Sequence, residues 1–166
     1  MVQWLTLLYC RELDDLEKEL DLYPDDAAVW ATVPGVTNSA GTLTLHLCGN
    51  LQHFIGAKLG GTGYVRDREH EFAARGVPRV ELKAEIARAR QAVTATMAVL
   101  SEATLTEVYL YVPNGMRLPT GLFLMHLSTH LAHHIGQIGY LRRVVTGSPA
   151  SAGAVGFGGL APAVMP

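Results

Sequence analysis

At 166 residues, with 13 basic residues against 15 acidic ones and a net charge of -2, the chain has the size of one domain that buries roughly 70% of its unfolded surface. It lacks the basic tract of a nucleic-acid binder, and no apolar run reaches the roughly 18 residues of a membrane span, so neither nucleic acid nor membrane is expected as a partner. The two cysteines, Cys10 and Cys48, lie in separate apolar stretches without CxxC spacing; this fits buried thiols in a reducing compartment, and a cytoplasmic location is expected.

The opening MVQWLTLLYC is apolar but has no basic leader or small-residue cleavage site, and it runs directly into RELDDLEKEL. It therefore reads as a first helix and not as a signal peptide. Helical spacing from about Val2 to Leu20 turns Leu5, Leu8, Leu13, Leu16 and Leu20 inward and Glu12, Asp15, Lys18 and Glu19 outward. Pro24 and Asp25-Asp26 mark its end. A second helix is predicted from an N-cap at Thr37, Asn38 or Ser39 to Leu59, stopped by Gly60-Gly61. Within it Gly41, Gly49 and Gly56 each cost roughly 1 kcal/mol against alanine, which close packing or space for a ligand must offset. After the charged connector TGYVRDREHEFAARGVP, an alanine-rich third helix is predicted from about Arg79 to Ser101, with Glu81, Lys83, Glu85, Arg88 and Arg90 on its solvent face.

The segment EVYLYVPNGMRLPTG then reads as a hairpin-like excursion around Pro113-Asn114-Gly115, with short strands at most. A fourth helix is predicted from about Pro119 to Val145, ended by Gly147 and Pro149. The remainder, SPASAGAVGFGGLAPAVMP, is expected to be an irregular tail, either loose or draped over the helices. The fold class expected is all-α: a four-helix bundle over residues 1–146, followed by a Gly/Ala/Pro-rich tail over 147–166.

Four of the seven histidines, His126, His130, His133 and His134, fall within nine positions of the fourth helix. With about 100° per residue and His130 at zero, His134 lies near +40°, His126 near −40°, His133 near −60° and Gln137 near −20°, all on one face. Several neutral imidazoles in one interior each need a partner, and a divalent cation satisfies several lone pairs at once. The spacing is also compatible with a wet groove or a dimer edge, and it leaves the choice of ligands open. His126 and His130 are as much an i,i+4 pair as His130 and His134, and His46 and His53 share a face seven residues apart. Cys48 points about 160° away from His46 on an ideal helix.

The stretches SAGTLTLHLCGNLQHFIGAKLGG, RDREHEFAARG and HLSTHLAHHIGQIGYLRRVVTG resemble the DinB/YfiT-like superfamily of four-helix metalloproteins, in particular a bacterial branch with an HLxGNLxxxI-type second helix. The resemblance covers the second helix, the connector and the fourth helix. It implies a divalent ion held by His46, His130 and His134, the last immediately before Ile135-Gly136-Gln137. Three neutral ligands leave the ion an open coordination position, the pattern of a catalytic site, with zinc the first expectation and nickel the next. Thiol-using relatives further imply a low-molecular-weight thiol as co-substrate.

Gln137 and Asn50 are read as residues that orient ligands or simply satisfy the bundle interior. His53, His126 and His133 are read as supporting or pocket residues. Arg66, Asp67, Arg68 and Glu71 are read as an intramolecular salt-bridge cluster that pins the connector, or else as an anion clamp at the mouth of the site. The expected function is a metal-dependent transferase or hydrolase acting on a small molecule, with a non-catalytic, homodimeric metal- or ligand-binding bundle as the alternative. No HExxH motif and no obvious general base is present.

Overall fold

Ser39 resolves the start of the second long helix: its side chain accepts a hydrogen bond from the Thr42 amide, leaving Ala40 as the first helical residue. The structure, a computed structural model, describes residues 1–154 and 156–163. Among these, four long helices dominate: α1 (Val2–Asp21), α3 (Ala40–Leu51), α5 (Arg79–Val99) and α6 (Thr120–Thr146). α1 and α3 each pack against both α5 and α6, which closes a four-membered all-α bundle. Two short helices that periodicity did not reveal, α2 (Asp26–Val29) and α4 (Arg68–Ala73), are capped by Asp25 and Asp67 respectively.

The second helix departs from the expected continuous α-helix. From Gln52 to Ala57 it widens into a π-helical turn, with the Lys58 amide bonded to the His53 carbonyl and the Gly60 amide to the Ile55 carbonyl. Two neighbours satisfy carbonyls of this turn. The Tyr109 hydroxyl donates to Phe54 O at 2.7 Å and the Thr96 hydroxyl to Ile55 O at 3.5 Å. Tyr109 belongs to β1 (Val108–Tyr109), which pairs antiparallel with β2 (Leu118–Pro119), so the predicted excursion is a two-residue ladder.

Buried leucines of α1 join Leu47, Leu51, Leu82, Ile86, Phe123, Leu131 and Ile138 in one core. The expected wet face of α1 is corrected. Lys18 is exposed, but Glu12, Asp15 and Glu19 are buried. Their cover comes from two places that helical periodicity cannot see: the tail, whose turn Gly158–Ala163 packs on α1, and α6, which sends the fully buried Arg142 to Glu19 with Nε donating to Oε2 at 2.6 Å. Arg142 also donates through Nη2 to the Ala150 carbonyl, tying the start of the tail to α6. The described part of the tail is therefore draped.

Candidate metal centre

His46 projects from the middle of α3 and is almost fully buried, while His130 and His134 stand one turn apart on α6. His130 Nε2 lies 3.4 Å from His46 Nε2 and 3.1 Å from His134 Nε2. One ligand-type atom from each residue falls within 4.8 Å of the others, and no other such group of three is found among the described residues. A tetrahedral zinc with Zn–N of about 2.0–2.1 Å holds any two ligand nitrogens about 3.3 Å apart, so this donor set fits a small divalent cation.

The outer nitrogens decide which way the rings present their lone pairs. His46 Nδ1 lies 3.2 Å from Glu71 Oε2 and His134 Nδ1 2.7 Å from Gln137 Oε1; both oxygens are acceptors that favour the tautomer with the proton on Nδ1, in which both Nε2 lone pairs turn inward. Burial, and next the neighbouring imidazoles His134 and His46, push the His130 pKa down to about 4. Burial also lowers that of His134 against the opposing bond from Gln137. Both rings are thus neutral at physiological pH and able to act as ligands.

Glu71 reaches the site from α4, and its approach depends on Gly49. A Cβ at that position would overlap the Glu71 carboxylate, which explains a helix-interior glycine three residues after His46. Arg66 clamps the carboxylate from the other side, with Nε to Oε1 at 2.6 Å and Nη2 to Oε2 at 2.7 Å. Burial opposes ionisation of Glu71, but the hydrogen bonds from Arg66 and His46 outweigh it and hold the carboxyl below its usual range. The salt-bridge reading of this segment is therefore correct for Arg66 and Glu71, while Asp67 caps α4 and Arg68 lies over the Phe72 ring. Sequence alone offers no obvious general base and places Glu71 only as a salt-bridge partner or at the mouth of the site; the fold brings its carboxylate against His46. Gly49 was the available signal.

The remaining candidates fall outside the cluster. His126 and His133 are exposed, His126 stacking on Phe123. His53 is half-buried with its edge against Phe54. Cys48 is buried away from the rings, and burial pushes its thiol pKa well up. Both cysteines are free.

Fold and site together define a helical-bundle protein with three convergent imidazoles, a set that could hold a metal ion. The sequence pattern of the DinB superfamily matches residues 9–138, and the chain belongs to that superfamily. No match was found among curated proteins or among solved structures. No helix of the described residues is long and apolar enough to cross a membrane.

One prediction follows from the Glu71 contact. Glu71→Gln keeps the shape but removes the charge that favours His46 as a donor at Nδ1, and it is expected to weaken divalent-ion binding about 10- to 100-fold. Competition against a chromophoric chelator measures this. An unchanged affinity would mean that Glu71 serves only to pin the connector.

Proposed function

We propose that the protein is a divalent-metal-dependent enzyme that uses His46, His130 and His134 as ligands and activates a small thiol or water, with thiol-dependent group transfer as the leading reaction. The observation that carries this reading is the convergence of three Nε2 atoms whose outer nitrogens on His46 and His134 are already committed to Glu71 and Gln137. Neutral imidazoles leave a bound cation its full charge, so the ion, zinc first and nickel next, supplies Lewis acidity that favours the thiolate form of a thiol or lowers the pKa of water. The chain's own residues do the rest. Glu71, locked by Arg66, keeps the His46 ring oriented, and Gln137 does the same for His134. Because the Glu71 carboxylate is held by Arg66, it is poorly placed to serve as a free base, which favours a nucleophile activated by the ion over one activated by a carboxylate.

The test is spectroscopic. Cobalt-substituted protein titrated with a panel of small thiols is expected to develop thiolate-to-metal charge-transfer absorption, and His130→Ala is expected to abolish it. Hydrolysis of a simple ester or amide with no thiol-dependent spectrum would replace the transferase reading with the hydrolase one. A second reading, a non-catalytic homodimeric bundle, is favoured by the exposed apolar residues Leu122, Met125, Tyr140 and Val144 on α6. A stable dimer that takes up metal but turns over neither substrate class would support it.

A further inference from the structure

Beside the three imidazoles lies a cavity of about 270 Å³ between α3, the segment linking the two short strands, and α6. Its wall is largely apolar: Phe54, Phe123 and Leu127 line it, with Met116 contributed by the strand link. Phe54 meets Phe123 edge-on with ring centroids 5.4 Å apart, and Phe123 is stacked on Tyr109 at 4.3 Å, so the aromatic floor is rigidly packed. Among the described residues no Lys, Arg, Asp or Glu lines the cavity. Three polar residues do, Asn50, His126 and His130, and of these His126 stands at the exposed rim while Asn50 and His130 are the more buried. Asn50 is only 7% exposed, and its Oδ1 is buried without a hydrogen-bond partner. The same holds for Nδ1 of His130, which carries the ring proton when Nε2 turns its lone pair toward the other imidazoles. A buried acceptor and a buried donor left unpaired each carry a desolvation penalty that a ligand satisfying them would remove.

We propose that this cavity binds the organic substrate, an uncharged single-ring molecule bearing a group that both donates and accepts hydrogen bonds, such as a carboxamide. The ring fills the space between Phe54, Phe123 and Leu127, and the polar group faces Asn50 and His130. The size argument is direct: a cavity of about 150 Å³ accepts benzene, and drug-sized ligands occupy roughly 300–1,000 Å³. At about 270 Å³ the space suits one ring with a short substituent. With no Lys, Arg, Asp or Glu on the described lining, the metal-free cavity favours an uncharged ligand over an ionised one, whose desolvation it does little to repay. The π-helical turn from Gln52 to Ala57 begins two residues after Asn50 and carries Phe54. The assignment deepens the proposed function and rests on it for two points, that the bound molecule is a substrate and that His130 shares its ring between the cavity and the ion.

Benzamide is the probe. With protein carrying carbon-13 methyl-labelled methionine, it is expected to shift the Met116 methyl signal and leave buried Met97, on α5, unmoved. Benzoate of the same shape is expected to bind the metal-free protein at least tenfold more weakly. Asn50→Leu is expected to weaken benzamide about tenfold or more while still binding ethylbenzene, which shows that the variant retains the pocket. Met116→Trp, at an exposed position, is expected to block both ligands in calorimetry. On loading with cobalt, bound benzamide is expected to show enhanced proton relaxation. If cobalt binds stoichiometrically but benzamide never moves Met116, or if Asn50→Leu binds benzamide as well as the parent does, the cavity assignment is overturned while the metal reading stands. If Met116 responds as described and no cobalt is taken up, the metal reading fails and the pocket survives.

Discussion

Replacing His130 with alanine is expected to strip the bound divalent ion, whereas His126→Ala is expected to leave it in place. His130 is the central member of the cluster, with its Nε2 within 3.4 Å of the Nε2 atoms of both partners. His46 and His134 are held in place by Glu71 and Gln137 and do not depend on His130 for their orientation. Removing it deletes a direct donor, so the affinity should fall by more than the roughly 10- to 100-fold that loss of an outer partner costs. His126 lies a full turn away, exposed and stacked on Phe123, with its ring centroid 6.5 Å from that of His130. Metal content after dialysis, measured on parent and both variants, decides the matter. Full occupancy in His130→Ala together with loss in His126→Ala would overturn the ligand assignment. Near-identical helical circular dichroism for the parent and both variants would show that the difference is not one of folding.

The largest effect on stability is expected from Arg142→Leu. Arg142 is fully buried, and its partner Glu19 is 2% exposed. Truncating the guanidinium leaves an ionised carboxylate with no compensating charge inside the bundle, at an expected cost of about 3–5 kcal/mol. For a domain of this size that corresponds to a fall in Tm of about 6–20 °C. The second variant, Glu19→Met combined with Arg142→Leu, is expected to recover much of the loss, because the penalty comes from the orphaned charge and not from the missing pair. Thermal or denaturant unfolding of the two variants tests both statements. A loss below about 1 kcal/mol in Arg142→Leu would show that Glu19 escapes to solvent or takes up a proton without strain.

Local pattern was enough for the four long helices, because apolar residues at helical spacing, the caps at Ser39 and Gly147 and the breakers between segments act over one or two turns. The same short-range geometry put His126, His130, His133 and His134 on one face of α6, but it could not say which of them meets a histidine from another helix. That depends on how α3 packs against α6, and the packing brings His130 and His134 to His46 while leaving His126 and His133 in solvent. Resemblance to a family, and not periodicity, had singled out the same three residues.

Contacts between segments distant in sequence decided the remainder. Glu71 could be recognised as charged and as a partner for Arg66 from five residues away, but its bond to His46 spans 25 positions and exists only because Gly49 lets α4 lie close to α3. Glu12, Asp15 and Glu19 read as a solvated stripe because a helix taken alone exposes one side. The tail and Arg142, more than a hundred residues away, cover that side. The π-helical turn after Leu51 adjusts hydrogen bonds within an apolar run that spells an ordinary helix, and two of its carbonyls bond Thr96 and Tyr109 from distant segments. Propensity and periodicity are properties of neighbours along the chain, whereas the support of a site and the burial of a charge are set by neighbours in space.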